Sequence, residues 1–171
     1  MIVGFMATAA VVMMIALLPK HRDYLWAVIV LYVIGVLYFS LLSRTPVEGG
    51  QGIDLIPCGF LRVVKTRFKA YGVYGILRSL GGLYLNILMF IPFGFLVFTI
   101  RPGCDTWKII LAGFCFSLLI ELIQLTTHLG IFEMDDLINN TLGTWIGTVV
   151  YSKRIRTSNN NSEKDAKTDG N

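Results

Sequence analysis

Residues 121–148, ELIQLTTHLGIFEMDDLINNTLGTWIGT, set carboxylates and amides among apolar side chains. Glu121, Asp135 and Asp136 are the candidate catalytic groups. Carboxylates of this kind work as general acids or bases, or hold a divalent ion through oxygen. Gln124, Asn139 and Asn140, with Asp54 and Asn86 earlier in the chain, are candidates for binding a ligand. Arg44 joins them, because a planar guanidinium suits a phosphate or another anionic head. The spacing is helical. Glu121, Gln124 and His128 fall at i, i+3 and i+7, which predicts one shared helix face. Asp135, Asn139, Gly143 and Gly147 repeat every fourth residue, as do Asp136 and Asn140. Polar groups at membrane depth are costly unless they face a bundle interior or a wet cavity. The cluster is therefore expected to line an outward-facing polar pocket.

The same residues also have structural uses. Asp135 or Asp136 can cap the helix that follows, by accepting its free backbone N–H groups. Asn139 and Asn140 can bridge helices, and Gly143 with Gly147 can form a small-residue seam for close packing. Asn86 can pair with Asn139 or Gln124. Glu121 must be protonated, paired or wet, and the nearest candidate cations are Arg44 and His128.

The elements that hold these residues follow from composition. The chain has 171 residues, of which 54% are hydrophobic and 15% charged. Its mean hydropathy is +0.65. A soluble domain carries about 25% charged residues. The expectation is an all-α, polytopic membrane bundle of about five transmembrane helices. They are placed at 2–18, 24–42, 83–100, 107–129 and 137–151, the first as an uncleaved helix. Pro92 should kink the third span, as transmembrane helices tolerate. At 60–78 an interfacial amphipathic helix is predicted. There Leu61, Val64, Phe68 and Tyr71 share an arc, and Arg62, Lys65 and Lys69 lie to one side of it. Residues 1–151 form the domain, and 152–171 are expected as a disordered polar tail.

Lysine and arginine are somewhat richer on the side that holds the C-terminus. The loop around Glu133 has neither, so N-out and C-in is expected, with the long loop and the acidic loop both outside. Three scattered cysteines suit neither a disulfide scaffold nor a zinc site. No dedicated metal site or cofactor is expected. Membrane lipids are the expected partners, and no separate basic groove suggests nucleic acid.

Three segments in order carry a resemblance. They are NILMFIPFG at 86–94, ELIQ at 121–124 and DDLINNTLG at 135–143. Together they resemble the VanZ-like family. Leu55-Ile56-Pro57 is similar to that family's short loop motif, with Cys58 where a phenylalanine is common. The resemblance spans roughly residues 32–151. It implies a bacterial cytoplasmic-membrane protein associated with resistance to glycopeptides such as teicoplanin, which bind cell-wall precursors. It supplies no mechanism. Two readings stay open. One is a non-catalytic factor that engages a lipid-linked cell-wall precursor, the glycopeptide or a partner. The other is a membrane enzyme acting on a lipid-linked or phosphate-bearing substrate.

Overall fold

The computed structural model describes residues 24–42 and 52–168. The helix expected at 2–18 and Arg44 lie outside the described residues. Within them the chain is helical apart from one short two-stranded bridge and the connecting turns. Helix α1 spans Leu25–Leu37 and runs into a π turn, Tyr38–Leu42. Strand β1, Ile53–Asp54, precedes α2, Phe60–Ile100. Helix α3 is Thr106–Thr126, strand β2 is Phe132–Glu133, and α4 is Met134–Thr168.

Helix α2 is two helices in one. Gly72 has φ 60° and ψ −142°, a left-handed conformation that glycine adopts without steric cost. The chain folds back sharply there. A Cβ on Gly75 would lie 2.2 Å from the Arg67 carbonyl oxygen. Residues 60–71 thus form a short arm, close to the predicted 60–78, and the remainder forms the long helix. Pro92 interrupts no helical dihedral; the break in α2 is at Gly72. In the turn before Pro92, the Tyr32 hydroxyl donates to the Met89 carbonyl. Side-chain partners of this kind let a proline reside in a packed helix.

Two helices are long and apolar enough to cross a membrane, Ser79–Ile100 and Thr106–Thr126. Only 33% of each apolar window is buried. The core helix of a soluble domain would be covered on most sides, so these helices are compatible with a membrane protein. Leu25–Leu41 is apolar but shorter. Residues 137–151 are not among the helices of span hydropathy, because Asn139, Asn140 and the threonines are polar; Asn139, Asn140, Thr144 and Thr148 are buried in the bundle. The final helix also runs past the expected boundary at Tyr151. Residues 152–168, expected as a disordered tail, continue it, since no glycine or proline interrupts the sequence before Gly170.

The interior is packed from α1, α2 and α3. Val36, Phe90, Phe95 and Leu96 are fully enclosed, and Phe93 stacks on Phe116 at 5.4 Å. Helix α4 meets α2 through the glycine seam. A Cβ on Gly143 would lie 2.2 Å from the Ile87 carbonyl oxygen, and one on Gly147 would lie 2.1 Å from that of Ile91. The reverse contact is as close, with Gly94 against the Thr144 carbonyl. Small residues on both helices let the backbones touch.

Candidate functional site: a recess between the arm and the acidic loop

The two strands bring distant loops together. Ile53 and Asp54 pair in parallel with Phe132 and Glu133. The Phe132 N–H donates to the Gly52 carbonyl at 3.0 Å. The long loop and the acidic loop therefore lie at the same end of the bundle, as the sequence predicts. The π turn joins them there, because the Gln124 side chain donates to the Ser40 carbonyl at 2.9 Å.

Asp135 fastens the arm to this end. Its two carboxylate oxygens accept the backbone N–H groups of Cys58 and Phe60, both at 2.7 Å. These are free donors at the start of α2, so Asp135 caps a helix some 75 residues earlier in the chain rather than its own. Cys58 occupies the turn with φ 62°. Asp136, in the first turn of α4, accepts from the Asn86 side chain. Asn86 does not pair with Asn139 or Gln124.

Between the arm and the acidic loop lies a recess of about 430 Å³. Its polar lining comes from Asp54, Arg67, Ser79, Asn86, Glu133, Asp135, Asp136 and Asn139. Ile56, Phe60, Val63, Leu83, Ile131 and Met134 supply apolar wall. Small-molecule sites in proteins are commonly of this size and combine apolar wall with polar groups that fix orientation. Five of the residues expected in a pocket meet here: Asp54, Asn86, Asp135, Asp136 and Asn139.

Glu121, Gln124 and Asn140 do not line it. They are buried beneath, at 1%, 2% and 3% exposure. The Glu121 carboxylate accepts the Glu133 backbone N–H at 3.0 Å and so holds β2 in place. Asn140 donates to Ser117 at 2.8 Å. The predicted face of Glu121, Gln124 and His128 is broken because α3 stops at Thr126. His128 is exposed with φ 60°, and the Leu129 N–H closes on the Gln124 carbonyl. That is a Schellman-type helix end. No three Asp, Glu, His or Cys side chains among the described residues converge as a metal-binding group. The divalent-ion reading of the carboxylates therefore has no geometric support here.

Arg67 is the residue that sequence reasoning missed. Phe60, Val63 and Arg67 fall at i, i+3 and i+7, so one face of the arm points all three into the recess. At about 100° per residue, Arg67 lies across the helix from Arg62, Lys65 and Lys69. That separation was the available signal.

The chain is thus a helical bundle with two helices of membrane-spanning character and a mixed polar and apolar recess at one end. The VanZ/LLP1 family profile matches residues 24–156, and the chain belongs to that family. Comparisons with curated proteins and with solved structures find no match.

Proposed function

We propose that this protein is a multi-pass component of the bacterial cytoplasmic membrane, of about five spans, with the N-terminus outside and the C-terminus inside. In this reading the recess faces the cell exterior. There it engages lipid-linked cell-wall material and lowers sensitivity to glycopeptides of the teicoplanin type. The observation that carries it is the recess itself, with apolar wall and hydrogen-bonding groups together beside two lipid-compatible helices. Family membership supports the link to glycopeptides. The arm supports a seat at the membrane surface. Leu61, Phe68 and Tyr71 are exposed beside Arg62, Lys65 and Lys69, as in a helix lying among headgroups.

A catalytic role for Glu121, Asp135 and Asp136 has less support. Each accepts a hydrogen bond that holds backbone or amide in place. Expression in a sensitive Gram-positive host should raise tolerance to teicoplanin more than to vancomycin. Glu121→Gln should keep that effect, because the amide oxygen can still accept the Glu133 N–H. Loss of tolerance at unchanged protein level would turn the reading toward an enzyme. Unchanged teicoplanin sensitivity in cells that insert the protein would sink the resistance role.

Orientation has its own measurement. In a variant whose native cysteines are replaced, a cysteine put at Ile131 should react with a membrane-impermeant maleimide on intact cells. Protection until the cells are lysed would place the recess inside.

A further inference from the structure

The recess holds opposite charges that do not meet. Among the described residues Arg67 is its one cationic lining residue and makes no ion pair or side-chain hydrogen bond. Asp54 faces the same space from β1. Its Oδ1 accepts the Ile56 N–H at 3.1 Å, and it forms no ion pair among the described residues. The other carboxylates are differently engaged, and Glu133, which is exposed, has an interaction of its own within the fold. Both oxygens of Asp135 hold backbone N–H groups, and Asp136 holds Asn86.

We propose that the recess selects an amphiphile whose head carries both a phosphate and a primary ammonium, the phosphate at Arg67 and the ammonium at Asp54. This deepens the reading of the recess as an amphiphile site and rests on it. A guanidinium held without a carboxylate partner is a ready donor pair for phosphate oxygens. A purely anionic head would satisfy Arg67 but meet a surplus of carboxylates: among the described residues, four acidic side chains line the space against one arginine. A purely cationic head would leave Arg67 unmatched. A zwitterion satisfies both walls. The cavity of about 430 Å³ has room for such a head. Ile56, Val63, Leu83 and Ile131 then provide apolar surface for the start of a chain.

The test uses the full chain in dodecyl maltoside, with tryptophan fluorescence as the binding signal. The probes are dihexanoyl phosphatidylethanolamine, dihexanoyl phosphatidylglycerol and free phosphoethanolamine. The ethanolamine lipid should bind about tenfold tighter than the glycerol lipid, which corresponds to about 1.4 kcal/mol. Asp54→Asn keeps the acceptor for Ile56 and should remove that preference. Asp54→Glu keeps the charge and should retain it, which separates charge from folding. Arg67→Gln should weaken both lipids. Competition by free phosphoethanolamine would mean that the head suffices; failure to compete with the lipid preference intact would mean that the chain is also read. Equal binding of both lipids, unchanged by Asp54→Asn but weakened by Arg67→Gln, would overturn the zwitterion assignment and leave the amphiphile site standing. No saturable binding of either lipid would overturn both.

Discussion

Asp135→Ala should release the arm from the bundle and lower stability by about 3 kcal/mol. The residue accepts two backbone N–H groups at 2.7 Å with a charged carboxylate. Hydrogen bonds to a charged group contribute about 1.5–3 kcal/mol each, and the exposed position of Cys58 puts that bond at the low end, since water can replace it. The loss is also topological. Few other hydrogen bonds tie residues 58–60 to the start of α4, so the recess should open with the arm. Hydrogen exchange at the Cys58 and Phe60 amides is the direct measure, and both should speed up in the variant. Asp135→Asn should fall between, because its oxygen serves one donor while its amide opposes the other. Wild-type exchange in the alanine variant would mean that the arm is held by something else.

Gly143→Ala and Gly147→Ala should each destabilise the bundle by about 1–3 kcal/mol, the range for overpacking a tight interior. The added Cβ would stand 2.2 Å and 2.1 Å from backbone carbonyl oxygens of α2, which cannot rotate away. The helices must therefore separate by roughly an ångström to restore ordinary van der Waals contact. One separation relieves both clashes, so the double variant should cost less than the sum of the two. Gly81→Ala is the control. Nothing lies within 4 Å of its Cβ, and removing a helical glycine there should be neutral or stabilising by up to about 1 kcal/mol. Thermal melting in detergent, followed by tryptophan fluorescence, compares them. A Gly143→Ala variant that melts with the wild type would remove the seam from the account.

The order of elements could be read in advance because each announces itself locally. Apolar runs predict helices at 83–100 and 107–129, against 79–100 and 106–126 in the structure, and turn formers predict the long loop. The four-residue repeat of Gly143 and Gly147 gave the seam. The partners of the polar residues could not be read this way. Capping is a local rule, and by that rule Asp135 should serve α4. In the folded chain the start of α2 lies closer to its carboxylate oxygens, and nothing within residues 134–140 could reveal that. The apolar setting of Glu121 and Gln124 predicts that they face inward, and they do, but they brace β2 and the π turn rather than line the recess. The helix that ends at Thr126 also carries His128 off their face. The end of α4 failed differently, since polar composition at 152–168 does not forbid a helix when no breaker is present.

Sequence alone determined that the chain is a helical bundle of high hydropathy, which residues are too polar to face hydrocarbon, and which family it belongs to. The first two depend on composition and on neighbours within a turn or two, and the family on a resemblance carried by three ordered segments between residues 86 and 143. Only the tertiary structure decided that Arg67 and Asp54 share one recess without pairing, and that Asp135 caps a helix far earlier in the chain. The physical reason is that a two-residue parallel bridge and a reversal at Gly72 fix those distances. Both are contacts across the fold, set by how the backbone closes rather than by any local pattern of side chains.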